Sequence, residues 1–221
     1  MRQSLRGRLA GTLALQVGHH QPLDVSTWRA SIRRTHRKIR EIIDSGVIGQ
    51  VISIQADEFV GPFVSSILFR GSWRRLRKFS GGAMLEKCCH DMDLINWMAG
   101  SRPIAVHAFA SRPRGSRSMT IVGSRGTLWG YIDEMKVFHA TTGARETVEH
   151  PVQWDNSGHG GGDRTHAFAF LDAVHGRRAQ PAAGTWEGYL SAMVCFAADR
   201  SLQDARRVNL DYAQDGLVSL R

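Results

Sequence analysis

Residues 39–59 read IREIIDSGVIGQVISIQADEF and pass from a helical to an extended pattern within a few residues. The first part of this stretch continues a helical pattern, in which apolar residues recur every three or four positions. The pattern begins after Thr27 and ends at Ile43. Gly46 is placed to end this helix, because glycine is common just past a helix C-terminus. In the second part of the stretch, residues 51–59, apolar and polar residues alternate, and this alternation predicts a strand.

The same two patterns alternate irregularly along the rest of the chain. Because strands and helices do not follow a strict βαβ order, they predict an α+β fold. Asp163 is the expected N-cap of a helix whose buried face is expected to carry Ala167, Phe168, Leu171 and Val174. Helices are predicted at 83–99, 163–175 and 185–202, and strands at 104–109, 119–122, 127–132, 135–139 and 208–210.

The 221-residue chain has the composition of a globular protein but an uneven basic charge. Hydrophobic residues make up 42%, the formal net charge is +9, and the first forty positions hold nine Lys and Arg against one acidic residue. The most basic stretch, 33–40, has no interleaved aromatic residues and no base-reading motif, so a solvated helix face is favoured over a nucleic-acid site. No apolar run reaches 18 residues, and no membrane span is predicted.

Three cysteines bear on the compartment and on metal binding: Cys88, Cys89 and Cys195. Their number is odd and two are neighbours, which gives no disulfide framework and favours a reducing, cytoplasmic location. The run from Cys88 to His90 lacks the C-x₂₋₄-C spacing of zinc sites, so no metal site is predicted.

The most informative segment for chemistry is residues 81–93, GGAMLEKCCHDMD. In a helix Glu86 and His90 share a face, and a carboxylate beside an imidazole suits proton transfer with a substrate hydroxyl. The spacing also fits a purely structural helix start with acidic side chains near its N-terminus, and spacing alone favours that interpretation. The glycine loop at 158–162 also has two interpretations. Its backbone N–H groups could surround an anion, or the loop could be a flexible connection to the next helix.

Four segments together resemble the Gfo/Idh/MocA oxidoreductase family. Residues 39–51 resemble its helix-to-strand entry into the second domain, and 81–94 resemble its active-site segment. Residues 123–128 resemble its strand turn, and 158–163 with the two following helices resemble its C-terminal end. The resemblance extends in the family's order over residues 30–212.

The resemblance implies an α+β substrate-side domain with an open, mostly antiparallel sheet and helices packed on one face. It implies NAD- or NADP-dependent dehydrogenation of a small sugar or polyol. A homo-oligomer formed through an exposed edge of the sheet is a separate expectation. His90 matches the family's acid/base histidine, and Glu86 stands where many members have aspartate. Lys87, His159 and Asp163 are the expected substrate-binding residues.

Departures from the family pattern shape the expected domain organisation. Residues 1–26 are expected to be an irregular leader, too short for a βαβ unit, and 27–221 to form the domain. An internal deletion is expected near 112–119, and no dinucleotide-binding fingerprint is present. The chain is therefore expected to be a truncated form, inactive alone because the cofactor-binding domain is absent. The alternative is a basic, non-catalytic binding or assembly module.

We expect the 221-residue chain alone not to bind NAD(H) or NADP(H) appreciably. Pyrophosphate recognition needs a glycine-rich turn that leads into a helix N-terminus in a parallel sheet, and the sequence contains no such motif. Isothermal titration calorimetry with each dinucleotide should show no micromolar binding. A micromolar dissociation constant for either nucleotide would contradict this expectation.

Overall fold

A computed structural model describes residues 10–17, 34–57, 73–111, 117–132, 134–153, 161–177, 185–213 and 216–221. Its helices are α1 (Arg34–Asp44), the single turn α2 (Arg77–Ser80), α3 (Cys89–Ala99), α4 (Gly162–Val174) and α5 (Thr185–Asp204), with a 3₁₀ turn at Trp73–Arg75 and a π-helical turn at Met84–Cys88. None of these helices combines the length and apolarity that a membrane span needs. The strands are β1 (Ala10–Val17), β2 (Val51–Asp57), β3 (Pro103–Ser111), β4 (Ser118–Gly123), β5 (Gly126–Tyr131), β6 (Lys136–Thr141), β7 (Val148–His150), β8 (Val208–Tyr212) and β9 (Val218–Leu220).

Five strands form one antiparallel sheet in the order β2-β4-β5-β6-β7. A tight hairpin joins β4 to β5, and in it Gly123 pairs with Gly126. A side chain at Gly123 would collide with the carbonyl oxygen of Ile48, so glycine lets the connection between α1 and β2 pass close to the hairpin. Glycine at position 123 is therefore a packing requirement as well as a turn signal.

The remaining strands form a second sheet in the order β1-β3-β8-β9. β1 pairs with β3 along its whole length, so the expectation of an irregular leader is wrong for residues 10–17. Leu13, Leu15 and Val17 alternate with polar or small neighbours, as a strand requires. That alternation is short, and it gives a weak signal without knowledge of the partner strand.

Every strand pairing among the described residues is antiparallel, which confirms the predicted α+β fold with mostly antiparallel pairing. The short strands β7 and β9 were not predicted, because three residues carry too little periodic pattern. Most of the expected deletion region, 112–119, lies outside the described residues.

Two hydrophobic cores among the described residues hold α1, α3 and α5 against the sheets. The first is built from Ile39, Ile42, Ile48, Leu94, Met98, Met119, Ile121, Leu128, Ile132 and Val137. The second is built from Met92, Val106, Ala108, Val194, Cys195, Ala197, Ala198, Val208, Leu210 and Val218. Helix α3 belongs to both, since it contributes Leu94 and Met98 to the first core and Met92 to the second.

Helix α4 departs from the expectation of a buried apolar face. Phe168, Leu171 and Val174 are exposed by 60%, 43% and 64%. The helix makes no extensive contact with another described helix or strand, and its N-cap is Gly161 rather than Asp163. The predicted burial is wrong because amphipathic spacing shows that a face is apolar without showing what covers it.

Gly123→Ala should lower the free energy of unfolding by about 1–3 kcal/mol, because the added methyl group meets the backbone carbonyl of Ile48. Gly188→Ala is the matched control, since its methyl group would enter open space in α5. It should leave stability unchanged or raise it by up to about 1 kcal/mol. Urea denaturation measures both values. Equal stability of the two variants would contradict the close approach at Gly123.

Candidate active site

A pair of glycines introduces the segment that the sequence singles out for chemistry. Gly81 and Gly82 have φ angles of 75° and 108°, a region that glycine adopts without the usual steric cost. The Gly81 N–H donates to the carbonyl of Arg77 and closes α2, and the π-helical turn Met84–Cys88 follows two residues after the glycines. Such turns are rare and are frequently found at functional sites.

Glu86 lies in this π-helical turn with its side chain only 18% exposed. Its carboxylate Oε1 lies 3.2 Å from the Nε of Arg74, which forms an ion pair with it. The helical spacing predicted a pair between Glu86 and His90, but the partner of Glu86 among the described residues is Arg74. The acid/base pairing of Glu86 with His90 stays a prediction.

Lys87 and His90 complete the set of predicted site residues on this segment. Lys87 is half-buried in the π-helical turn, and His90 is exposed in the first turn of α3. Glu86, Lys87 and His90 therefore lie within about one helical turn of each other along a single stretch of backbone. An exposed imidazole in such a setting can exchange a proton with a bound hydroxyl group.

The described contacts do not bring the two other predicted site residues to this segment. Asp163 is exposed in the first turn of α4, and that helix has no extensive contact with α3. His159 lies outside the described residues. A cleft that these residues share with Glu86 and His90 therefore stays a prediction.

A second ion pair ties the region before the glycines to α5. Arg77 Nη2 lies 3.2 Å from Oδ2 of Asp199, whose side chain is 14% exposed. Burial raises the pKa of Asp199, and the positive charge of Arg77 opposes that rise. Neither Asp199 nor Arg74 was predicted to belong to the site, because no local pattern marks ion pairs between distant parts of the sequence.

The three cysteines lie in or against the second core. Cys195 is buried in that core, and Cys88 and Cys89 pack against it. Burial raises the pKa of the Cys89 and Cys195 thiols, so both stay protonated at neutral pH and are poor nucleophiles and metal ligands. Within the described stretches, no group of three or more His, Cys, Asp and Glu side chains could hold a metal ion.

The described residues do not fit a bound dinucleotide. Its pyrophosphate is held where a parallel strand leads through a glycine-rich turn into a helix N-terminus, whereas all strand pairings in the described part of the chain are antiparallel. α4 does begin at glycines, Gly161 and Gly162. However, Asp163 places a carboxylate in its first turn, where it would repel a phosphate.

Another pair of titratable side chains joins β6 to β7. The Nδ1 of His139 and the Nε2 of His150 lie 2.7 Å apart, a distance at which one ring donates a hydrogen bond to the other. Burial lowers the pKa of His150, and the nearby His139 and Lys38 lower it further. This hydrogen bond between the two rings links β6 to β7.

Comparison with known proteins gives a match to one protein family. The model of the GFO/IDH/MocA C-terminal domain matches residues 36–180. The matched region contains Glu86, Lys87 and His90 together with their supporting residues Arg74 and Arg77. It also includes helix α4.

Individual relatives cover different shares of the chain. The Bacillus subtilis (strain 168) protein YteT, whose name describes an oxidoreductase, is 38% identical over 76 residues, which is 34% of this chain and 18% of that protein. Levoglucosan dehydrogenase in complex with NADH and levoglucosan aligns with a TM-score of 0.61 at 16% identity, over 84% of this chain and 66% of that one.

A Sinorhizobium meliloti 1021 protein described as a myo-inositol dehydrogenase aligns with a TM-score of 0.56 at 16% identity, over 82% of this chain and 63% of that one. At such identities the two solved structures show a shared fold. The chain spans less than two thirds of the length of all three relatives.

Arg77→Met should destabilise the protein at neutral pH, because it removes the positive charge beside the largely buried carboxylate of Asp199. The folded-state pKa of Asp199, already raised, should rise further. When a carboxyl group has a higher pKa in the folded protein than in the unfolded chain, its contribution to stability is fully present at pH values below its unfolded-state pKa. That contribution is lost as the pH rises through its folded-state pKa. Denaturation curves from about pH 3 to about pH 8 should show this loss, and Asp199→Asn in the same protein should restore stability at the higher pH.

Arg177→Met is the matched control for this series. Arg177 is as exposed as Arg77, at 60%, but its partner Asp172 is 45% exposed, so removing that pair should change stability by less than about 1 kcal/mol. The assignment fails if Arg77→Met and Arg177→Met have the same pH dependence.

Proposed function

The chain belongs to the GFO/IDH/MocA family, and from this membership we propose that it forms the substrate-side domain of an oxidoreductase that acts on a hydroxyl group of a sugar or polyol with NAD or NADP. The observation that carries the proposal is the position of Glu86, Lys87 and His90 on one segment inside the matched region 36–180. Two proteins with the same fold are named for levoglucosan and myo-inositol, and one of them holds NADH. In this proposal residues 27–221 form the domain, strand β1 adds to its second sheet through β3, and the dinucleotide is held outside the described residues.

His90 is the proposed acid/base group. Oxidation of an alcohol to a carbonyl removes the hydroxyl proton, and a ring nitrogen of His90 accepts that proton in this proposal. Reduction in the other direction returns it. Imidazole suits this step because it gains and loses a proton readily near neutral pH, and its exposed position in α3 leaves it open to a ligand.

Glu86 and Lys87 are proposed to position the substrate beside His90. The ion pair with Arg74, at 3.2 Å, fixes the Glu86 carboxylate, which has further lone pairs that can accept hydrogen bonds from sugar hydroxyls. The Lys87 ammonium can donate hydrogen bonds to hydroxyl oxygens. Groups held in place before the substrate arrives lower the barrier by orienting it.

His159 and Asp163 are proposed to line the same cleft from another side. The carboxylate of Asp163 is exposed at the start of α4, and a carboxylate is a strong acceptor for hydroxyl donors. The exposed apolar side chains of α4 indicate that this helix packs against a surface that the described residues do not supply.

A homo-oligomer formed through a sheet is also part of the proposal. Among the described strands β2 lies at the edge of the five-stranded sheet, and it exposes Ile52 by 68%. An exposed edge with an apolar side chain is a surface on which a second chain can pack or pair.

The proposal is tested in a chimera, because the matched dehydrogenases are longer than this chain. The dinucleotide-binding domain of a close relative is fused ahead of strand β1, so that the pairing of β1 with β3 is kept, and turnover of a polyol panel is measured. His90→Asn should lower kcat by about 10²–10⁴-fold with little change in dinucleotide affinity. Glu86→Gln should lower kcat less, because the base remains.

His175→Asn provides the matched control, since His175 is exposed at the far end of α4. It should leave kcat within about twofold of the parent chimera, as expected for a residue without a role in the chemistry. An active chimera that is indifferent to His90→Asn would remove His90 from the mechanism.

A further inference from the structure

The residues just before the glycine pair form a compact basic and aromatic segment. Residues 73–79, WRRLRKF, contain four cationic side chains and no acidic one. They fold into the 3₁₀ turn Trp73–Arg75 and the beginning of α2. The segment therefore brings several positive charges and two large aromatic rings to one short stretch of surface.

Two of the four cations hold the segment against the rest of the protein. Arg74 pairs with Glu86 at 3.2 Å, and Arg77 pairs with Asp199 at 3.2 Å. Both carboxylates are largely buried, with side-chain exposures of 18% and 14%. The pairs join residues 73–79 to the π-helical turn and to α5, so the segment has a defined position next to the turn that leads to His90.

The other two cations face solvent beside exposed aromatic rings. Arg75 and Lys78 are exposed and form no ion pair within the described part of the chain. Lys78 Nζ lies 4.7 Å from the ring centre of Phe79. Trp73 and Phe79 are exposed by 55% and 59%, so both rings are open to contact with a ligand.

We propose that residues 73–79 form a subsite for an oxyanion carried by the sugar substrate, a carboxylate or a phosphate. Arg75 and Lys78 bind the anion through charge-assisted hydrogen bonds, and Trp73 packs against the apolar C–H face of the sugar ring. This inference rests on the proposed function, because it places the anion next to the segment that presents His90. It narrows the substrate class to sugar acids or sugar phosphates.

The local charges favour a small anion over a nucleic-acid strand. Arg74 and Arg77 are already paired with carboxylates, which leaves two solvent-facing cations in the segment. Two cations match one carboxylate or phosphate group. Binding of single strands without sequence preference uses a basic groove that follows several nucleotides, with successive bases stacked on aromatic rings.

The experiment measures binding of three ligands with the same ring stereochemistry to the 221-residue chain by heteronuclear NMR titration: D-glucose, D-glucuronate and D-glucose 6-phosphate. We expect at least one anionic sugar to bind about tenfold or more tightly than glucose at low salt, and the difference to shrink as salt is added. Tighter binding of glucuronate assigns a carboxylate, and tighter binding of the phosphate assigns a phosphate.

Two double variants locate the anion. Arg75→Gln with Lys78→Gln should lower the affinity for the anionic sugar to that for glucose. Lys136→Gln with Arg207→Gln removes the same net charge from exposed positions elsewhere and should leave the preference intact. Loss of the preference in both variants, or in neither, would overturn the assignment to this segment.

The remaining outcomes separate this inference from the proposed function. Equal binding of all three sugars, or no binding of any, overturns the anion subsite, and the chimera with His90→Asn still tests the oxidoreductase independently. Tighter binding of a single-stranded oligonucleotide than of either anionic sugar also overturns it. If the chimera is indifferent to His90→Asn while the preference for anionic sugars is intact, the proposed function is rejected and the anion subsite is still supported.

Discussion

Helix α3 is buried from two directions, and the arrangement of the described fold depends on that constraint. Leu94 and Met98 pack into the core beneath the five-stranded sheet, while Met92 packs into the core shared by α5 and the second sheet. A helix in this position cannot rotate without removing apolar side chains from one core or the other. Burial of apolar surface is the dominant favourable term in folding, so this double contact fixes the orientation of the helix.

The position of the candidate site is determined by helix α3. The π-helical turn that carries Glu86 leads directly into α3, so the position of His90 is set by side chains buried one to two turns further along. The two ion pairs made by Arg74 and Arg77 then hold the preceding segment in place. A site that positions a substrate needs charged groups held in fixed places. In the proposed function these groups are held by the packing of α3, whose core side chains take no part in the chemistry.

The sequence predicts much of the fold, and its failures have physical causes. Helix α1 and strand β2 follow from periodicity, whereas the role of His90 rests on the resemblance of its segment to the family and stays a prediction. Strand β1 and the partner of Glu86 were not found, because pairing between distant segments leaves no local pattern. The exposure of Phe168 on α4 was missed for a related reason, since apolar spacing does not identify the surface that covers it.

In the proposed function the segment from Glu86 to His90 meets the hydroxyl group that is oxidised. A crystal structure of the active chimera with its sugar or polyol bound tests this most directly. We expect a substrate hydroxyl oxygen about 2.6–3.2 Å from a ring nitrogen of His90, with the ion pair between Glu86 and Arg74 retained. A productive ligand bound elsewhere, with no hydroxyl within reach of His90, would contradict it.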